Sequence, residues 1–404
     1  MKLLYITVSM PFGPGEEFFI PEVYELLRQG HEVLIVPRLP KGAIVNKDAV
    51  GLERHSIRRH LFSLSVLFVA VLEILRHPAA AMRAFALLFD SSGLLVLARN
   101  IGVFPKGLWL AHVAYKWRAD HIHAHWARTT ATMAMVASEM TGIPWSFTAH
   151  RGDIADTNLL ATKTAKAAFT RFISQSGLHM AEGLGALRKP RSACVIHMGV
   201  ELSAPPVLRT KTDSSFIVLC PANLSPVKGH KYLVEAMLIL RNSGVCCKLL
   251  LAGAGGLQKE LQDQVARLDL EATISFLGQV AHDRLLQLYR ESGVDVVVLP
   301  SLDLGNNQHE GVPVCLMEAM AHGIPVVSTR TGGIPELLRD GAGILVPPQD
   351  PEALAEAIER LIRDSALQIQ LGRAGRQRIE EQFAVERTVA GLVARIEATT
   401  TAVS

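Results

Sequence analysis

Residues Leu299 to Glu336 read LPSLDLGNNQHEGVPVCLMEAMAHGIPVVSTRTGGIPE, a strand–helix–strand pattern from which the architecture of the chain can be predicted. An apolar strand comes first, a polar loop follows it, and a helix is predicted from Val314 to His322. Pro313 suits the first helical turn because its missing N–H needs no partner there, and Gly323 ends the helix. A second apolar strand covers Pro325 to Ser328. This is a β-α-β unit, which predicts a parallel sheet.

Two carboxylates and three backbone amides mark the start of this helix as a candidate site. Glu310 lies in the preceding loop, and Glu318 lies eight residues later, at most about 12 Å away along the axis. Free amides at Gly311, Val312 and Val314 would bind an anion, and the carboxylates would accept hydrogen bonds from hydroxyls on either side of it. A sugar linked through a diphosphate to a ribose has this layout. From spacing alone, an exposed helix carboxylate and a loop charge remain the alternative.

The same alternation of strands and helices continues on both sides of this stretch. Strands at Lys2–Met10 and His31–Pro37 flank a helical pattern from Phe19 to Arg28. The polar segment Glu201–Ser215 contains adjacent prolines and no periodicity, which predicts an interdomain linker. The other predicted strands are His121–His125, Trp145–Ala149, Phe172–Gln175, Ala193–His197, Phe216–Cys220, Lys248–Ala252, Thr273–Phe276, Asp295–Pro300 and Gly343–Val346.

The predicted fold class is therefore α/β, with two Rossmann-like, doubly wound domains that face a cleft. We expect an N-terminal domain at residues 1–203, a C-terminal domain at 204–385, and a helix within 386–404 that packs back on the N-terminal domain. The chain is 49% hydrophobic and only 20% charged, so it can bury cores of this size. This composition excludes a disordered or fibrous protein.

The distribution of charge bears on partners and location. Residues 1–200 carry 22 basic and 14 acidic side chains, and the remainder carries 19 and 24. No basic block is interleaved with aromatics, so no nucleic-acid partner is predicted, whereas an anionic membrane surface or a phosphorylated substrate fits the basic half. The apolar run Leu61–Leu72 is too short to span a bilayer before Glu73. It predicts either a core helix or an interfacial helix beside Arg58 and Arg59.

Cysteine and histidine usage argues against a metal site. The five cysteines form no CxxC or Cys/His zinc spacing, which indicates a reducing compartment, and no secretory pattern opens the sequence, so we expect a cytoplasmic protein. His121, His123 and His125 share one face of a strand, but no carboxylate or cysteine nearby in the sequence completes a zinc set. No Asp-x-Asp occurs either. We predict no metal and no cofactor.

The segment 310–338, EGVPVCLMEAMAHGIPVVSTRTGGIPELL, resembles the Glu-x7-Glu signature of retaining glycosyltransferases of the GT-B architecture, family 4. That family includes enzymes of exopolysaccharide and lipopolysaccharide synthesis. Further matching segments cover most of the chain from about residue 120 onward. They are FTAHRGDI at 147–154, VIHMGV at 195–200, LCPANLSPVKGH at 219–230, LAGAGG at 251–256 and FLG at 276–278.

The resemblance implies a role for each site residue on the donor side. Glu310 would hold hydroxyls of the donor sugar, Glu318 the ribose and Lys228 the diphosphate. Lys228 also follows a predicted strand, where a flexible cation can reach a leaving phosphate. Family members usually carry arginine where this chain has Asn223, and Arg151 or Arg330 could compensate for the missing charge. The loop Phe276–Gly278, with Leu277 at its centre, would present its backbone to the nucleobase.

On the N-terminal side, the resemblance implies two further groups of contacts. His150 matches the histidine that faces the donor sugar, the alternative being a hydrogen-bonded structural histidine. Gly13, Gly15 and Glu17 fall where the family contacts the acceptor, although members in polysaccharide synthesis often show Ser-Glu-Thr where this chain has Glu16-Glu17-Phe18.

The resemblance as a whole implies a metal-independent hexosyltransferase that retains anomeric configuration. It would use a nucleotide-diphosphate sugar as co-substrate and a glycan or glycolipid acceptor. The basic N-terminal half and the apolar segment from Leu61, rather than the resemblance, predict docking on the cytoplasmic face of the inner membrane. Two alternatives remain: a sugar-nucleotide epimerase of the same architecture, which would form product without an acceptor, and a non-catalytic nucleotide-sugar-binding protein.

Overall fold

The computed structural model describes residues 1–13, 15–44, 46–202, 215–291, 293–305 and 308–400. They form two compact units. The first comprises Met1–Gly199 together with the segment from Val385 onward, and the second comprises Val200–Ala384. The expected boundary between residues 203 and 204 lies outside the described residues.

The first unit is built on a parallel six-stranded sheet with the order β2-β1-β3-β4-β5-β6. Its strands are β1 (Lys2–Thr7), β2 (Glu32–Pro37), β3 (His121–His125), β4 (Trp145–Ala149), β5 (Phe169–Phe172) and β6 (Ala193–Val195). Its helices are α1 (Ile20–Arg28), α2 (Leu64–Arg76), α3 (Pro78–Ala86), α4 (Leu94–Trp117), α5 (Thr129–Thr141), α6 (Arg151–Ala155), α7 (Leu160–Lys166), α8 (Gln175–Gly183) and α16 (Val385–Thr400), with 3-10 turns at Glu17–Phe19, Lys47–His55, Leu87–Asp90 and Pro190–Ser192.

The second unit repeats this plan with the order β12-β11-β10-β7-β8-β9. Its strands are β7 (Phe216–Pro221), β8 (Cys247–Ala252), β9 (Ile274–Gly278), β10 (Val296–Leu299), β11 (Val326–Thr329) and β12 (Ile344–Val346). Its helices are α9 (His230–Asn242), α10 (Gln258–Arg267), α11 (His282–Arg290), α12 (Val314–Ala321), α13 (Ile334–Leu337), α14 (Pro351–Arg363) and α15 (Ser365–Arg378), with 3-10 turns at Pro226–Lys228 and Arg339–Gly341 and a π-helical turn at Ile379–Phe383.

Both sheets are doubly wound, as the sequence predicts. The four residues of β10 are fully buried, which is the pattern of a parallel strand covered on both faces. In each sheet the strand order reverses beside the first strand of the unit, between β1 and β3 in one and between β7 and β10 in the other. Ligands of open α/β sheets bind outside the carboxyl ends of the strands at such switch points.

Two sequence-based boundaries are wrong in an informative way. A strand was predicted at Phe172–Gln175, but β5 ends at Phe172 and Gln175 begins α8. Ser174 causes the change, since its side-chain oxygen accepts a hydrogen bond from the Gly177 N–H at 3.1 Å and caps the helix. The predicted loop at Phe276–Gly278 belongs to β9, where Leu251 pairs with Phe276 but Ala252 pairs with Gly278. Leu277 is therefore the extra residue of a β-bulge.

A helical insertion, α2 to α4, separates β2 from β3. Helix α2 buries only Val66, Ala70 and Glu73, so the apolar run Leu61–Leu72 is not wholly a core helix. By length and composition α4 could cross a membrane, and α2 with the α3 region could form a bent second span. Half of the apolar window of α4 is buried within the protein. Buried core helices can have the same length and apolar composition as a membrane span.

Candidate functional site

The switch point of the second sheet brings together two charged residues that the sequence singled out. Lys228 ends the 3-10 turn after β7, and Glu310 lies in the loop after β10. The Leu302 N–H donates to the Val227 carbonyl at 2.8 Å, which joins the two connections. Lys228 Nζ and Glu310 Oε2 form an ion pair. The two side chains are only 19% and 16% exposed, so the pair is shielded but still accessible.

The environment favours a charged lysine. Burial alone would lower the pKa of Lys228, but the Glu310 carboxylate raises it above its ordinary value. Cys315, at the start of α12, stays a neutral thiol because burial raises its pKa to about 12. The site therefore carries the positive charge of Lys228 beside the negative charge of Glu310.

Glycines fix the backbone at Glu310. Gly332 has φ +53°, and a Cβ built on it would lie 1.8 Å from the Glu310 carbonyl oxygen. No side chain fits in such a space, so the segment Thr331–Gly333 packs directly on the loop that carries Glu310. The Gly333 N–H also donates to the Gly311 carbonyl at 3.1 Å. Gly332 and Gly333 thus fix the position of the backbone that carries Glu310.

Glu318 lies on α12, where its side chain is 13% exposed. Its Oε1 lies 2.6 Å from Nε2 of His282, the first residue of α11. His282 is not among the residues predicted from the sequence, although its position shortly after the end of β9, on the carboxyl edge of the sheet, is a usable signal. The imidazole contacts one carboxylate oxygen, and within the described residues the other oxygen, Oε2, has no side-chain partner and can accept a hydrogen bond from a ligand.

The remaining predicted donor-side residues lie around these pairs. In the described part of the chain, the N–H groups of Gly311, Val312 and Val314 have no hydrogen-bond acceptor, as expected before and at the start of a helix. Asn223 is exposed in the loop after β7. Leu277 is 40% exposed at the β9 bulge.

The glycine-rich turn after β8 supports the Asn223 loop. A Cβ on Gly253 would lie 2.0 Å from the Ala222 carbonyl oxygen, and one on Gly255 would lie 2.4 Å from that of Leu224. These glycines allow close backbone packing between the turn after β8 and the Asn223 loop.

In the first unit, His150 follows β4 and precedes α6. Its backbone N–H donates to Asp153 Oδ1 at 2.9 Å, and its Nε2 lies 2.8 Å from Nε2 of His125. The Trp126 ring packs on the imidazole with centroids 4.3 Å apart. Burial lowers the pKa of His150 to about 3, with a contribution from Arg171, so the ring is neutral.

The loop after β1 contains the predicted acceptor residues. Gly13 has φ +86° and packs against the Lys41 carbonyl, and Gly15 has φ +102° with open space around it. Both oxygens of Glu17 lie 3.0 Å from the Gly15 N–H. The Glu17 carboxylate therefore stabilises the backbone of the loop that precedes it by accepting the Gly15 N–H.

Glu16 is a residue whose role the sequence did not reveal. It is 6% exposed, and its carboxylate accepts hydrogen bonds from the N–H groups of Val8, Ser9 and Met10 at 2.6–3.0 Å. Trp126 Nε1 donates to the same carboxylate at 2.7 Å. Glu16 thereby ties the end of β1 to the residue after β3, across the switch point of the first sheet.

The structure corrects one statement about metal ligands. Glu22, brought in by α1, supplies the carboxylate that was missing near the strand histidines: its ligand atom and those of His123 and His125 lie within 4.8 Å of one another. All three are already engaged. Glu22 pairs with Arg171 and Tyr5, His125 with Tyr5 and His150, and His123 with Ser146 and Thr148.

Comparison with known proteins identifies relatives over nearly the whole chain. The family described as "Glycosyl transferases group 1" matches residues 209–378. The putative colanic acid biosynthesis glycosyltransferase WcaL of Escherichia coli K12 is 34% identical and covers 97% of this chain and 99% of its own length. The amylovoran biosynthesis glycosyltransferase AmsK of Erwinia amylovora is 26% identical over 95% of this chain and 96% of its own.

Solved structures share the two-domain GT-B fold. HepE of Anabaena, crystallised with UDP, superposes with a TM-score of 0.71 at 20% identity and covers 98% of this chain and all of its own. Sucrose-phosphate synthase of Thermosynechococcus elongatus gives a TM-score of 0.72 at 21% identity over the full length of both chains.

Proposed function

This chain belongs to the glycosyl transferases group 1 family, and we propose that it is a retaining, family 4 hexosyltransferase of cell-envelope or exopolysaccharide synthesis. The donor would be a nucleotide-diphosphate sugar and the acceptor a growing glycan, held on a lipid carrier. The named roles of WcaL and AmsK in colanic acid and amylovoran biosynthesis support this acceptor class. The UDP complex of HepE supports the donor class.

The observation that carries the proposal is the pairing of charges at the second switch point. Lys228 meets Glu310 there, and α12 presents its first amides between Glu310 and Glu318. A diphosphate needs positive charge and N–H donors, whereas a sugar and a ribose need hydroxyl acceptors. In this proposal Lys228 and the start of α12 bind the diphosphate without a metal ion, Glu310 binds the sugar and Glu318 the ribose. Asn223 and the Leu277 bulge contact the nucleotide.

The proposed chemistry breaks the bond from the anomeric carbon to the diphosphate oxygen and forms a bond to the acceptor oxygen on the same face. The acceptor proton passes to the departing diphosphate. Negative charge grows on that diphosphate in the transition state. The ammonium group of Lys228 therefore stabilises the transition state more than the bound substrate and raises the rate. We propose His150 as a further catalytic contact to the sugar, and Gly13, Gly15 and Glu17 as acceptor contacts.

We further propose a cytoplasmic protein that docks on the inner membrane face. Four apolar side chains form one stripe along α2, at helical spacing, and are 55–86% exposed. They are Leu64, Phe68, Val71 and Leu75, and we call them the α2 stripe. Exposed Arg58 and Arg59 precede the helix. Apolar insertion beside cations suits an anionic lipid surface, where a lipid-linked acceptor would reside.

A panel of nucleotide sugars tests the donor proposal. We expect one donor to raise the melting temperature of the protein and to be consumed only when a lipid-linked glycan acceptor is added. Donor conversion without acceptor would establish the epimerase instead. Donor binding without turnover on any lipid-linked acceptor would establish the non-catalytic binding protein, the alternative that Asn223 favours.

A further inference from the structure

A line of buried polar side chains runs beneath His150 in the first unit. Arg171 Nη1 lies 2.6 Å from Glu22 Oε2, and the Tyr5 hydroxyl donates to Glu22 Oε1 at 2.5 Å. The same hydroxyl lies 3.0 Å from His125 Nδ1, and His125 Nε2 lies 2.8 Å from His150 Nε2. We call these five residues the polar network. Each is at most 9% exposed.

The direction of every hydrogen bond in the polar network follows from its charged end. Arg171 cannot lose its proton and pairs with Glu22, so the carboxylate only accepts. The single hydroxyl proton of Tyr5 goes to Glu22. The Tyr5 oxygen can therefore only accept from His125, which must carry its proton on Nδ1. A neutral His125 then offers a lone pair at Nε2, so His150 must donate its Nε2 proton.

From this geometry we infer that Tyr5 and His125 are positioning residues that hold His150 in the Nε2-protonated form, with Nδ1 as its acceptor nitrogen. This deepens the proposed function, on which the catalytic role of His150 rests. The second nitrogen of an imidazole sets which atom faces a ligand.

The surroundings of the polar network make the arrangement rigid. The Phe19 ring stacks on His125 with centroids 4.0 Å apart and planes 21° apart. The Nε and Nη2 groups of Arg171 donate to the Ile196 and His197 carbonyls at 2.9 and 2.6 Å, so the guanidinium does not turn away from Glu22. Burial lowers the pKa of both His125 and His150, which agrees with two neutral rings joined by one N–H···N hydrogen bond.

Tautomer-sensitive NMR of the unliganded wild-type protein tests the inference without any enzyme assay. The full chain would be labelled with ¹⁵N-histidine, and His125 and His150 would be assigned from the signals lost in His125→Gln and His150→Gln. We expect a protonated Nδ1 on His125 and a protonated Nε2 on His150. The reverse pattern, or averaged signals from two exchanging forms, would overturn the inference, as would signals that change on addition of Zn²⁺ to the wild type.

Removal of one hydroxyl provides the second test. Tyr5→Phe keeps the ring but removes the acceptor for His125, so His150 should shift to a mixture of tautomers. The matched control Ser146→Ala also removes one buried hydroxyl from the same sheet, but this hydroxyl contacts His121 and His123 outside the polar network. A His150 spectrum unchanged in Tyr5→Phe, or changed equally in both variants, would contradict the inference.

Kinetics separates this inference from the proposed function. We expect Tyr5→Phe to lower kcat about ten-fold, the size of one misdirected hydrogen bond, with the donor KM within two-fold and the Ser146→Ala rate unchanged. If the tautomers shift but kcat does not fall, the positioning role stands and the catalytic role of His150 is wrong.

Discussion

At the scale of single residues, the ion pair of Lys228 and Glu310 can bind a ligand without being broken. An ammonium group has three donors and a carboxylate has two oxygens. The recorded contact uses one donor of Lys228 and Oε2 of Glu310, so donors and an oxygen remain on the two sides. A phosphate and a hydroxyl can therefore attach to opposite ends of the same pair.

Replacement of Lys228 by alanine should affect the chemical step. We expect kcat at saturating donor to fall about 100-fold, the usual loss when one stabilising group is removed from a developing oxyanion. Lys231→Ala is the control, since Lys231 is exposed on α9, three residues after Lys228, and should keep the wild-type rate. Initial rates measured over a range of donor concentrations would check this. Equal losses in both variants would contradict the role of Lys228.

Glu318→Gln should act on donor affinity rather than on rate. The variant loses the charge that His282 and a ribose hydroxyl would share, and a hydrogen bond to a charged group is worth about 1.5–3 kcal/mol. We expect the donor Kd, measured by calorimetry, to rise about 10- to 100-fold, with kcat little changed. Glu260→Gln on α10, an exposed position, serves as control. An unchanged Kd with a lower kcat would reverse the assignment.

At the scale of elements, local patterns predicted what local forces decide. The strands predicted at His121–His125 and Trp145–Ala149 match β3 and β4. Both are short segments between turns, and every residue in them is buried, as expected for a parallel strand covered on both faces. Helix α12 begins at Val314, directly after Pro313, and ends at Ala321, one residue before the predicted end at His322 and two before Gly323. Ser174 and the Leu277 bulge were missed, since a cap and a bulge depend on which atoms the next element presents.

Long-range partners were beyond such patterns. His282 and Glu318 are 36 residues apart, and Glu22 and Arg171 are 149 apart. The local sequence around each residue does not specify its partner, because the sheet topology brings the two partners together. The residues of the candidate site that the sequence did identify follow strands at the carboxyl edges, where topology alone places them.

The α2 stripe should govern membrane binding. Phe68 is 65% exposed, and burial of its ring in lipid is worth about 1.5–3 kcal/mol. We expect Phe68→Ser to lower partitioning to anionic liposomes at least about ten-fold, as measured by flotation, with no loss of melting temperature. Ile369→Ser is the control, because Ile369 is an exposed apolar residue of the second unit. Binding that ignores Phe68, salt and lipid charge would contradict membrane docking.

At the scale of the whole molecule, the two units differ in how acid acts on them. In the first unit, burial lowers the pKa of His121 and His150 to about 3 and the pKa of His123 and His125 well below its ordinary value. The partly buried His31 and His55 also have lowered pKa values. The second unit has a lowered pKa at His230, to about 4, and at His322. Buried neutral imidazoles favour the unfolded chain once that chain can bind protons.

We therefore expect stability to fall as the pH drops below 6.5. A histidine with a lowered folded-state pKa binds its proton only after unfolding, so between pH 7 and 5 each fully buried imidazole costs about 2 kcal/mol. Asp153 works in the opposite direction: burial raises its pKa to about 7, so it takes up a proton in the folded state and offsets about one imidazole. The net effect on the first unit is a loss of stability as the pH falls.

Urea unfolding at pH 7 and pH 5 measures this loss as a difference in the free energy of unfolding, and His121→Gln should reduce that difference by about 2 kcal/mol. His179→Gln, which removes an exposed ring from the same unit, should leave the loss unchanged; an equal reduction in both variants would show that the buried strand histidines are not its source.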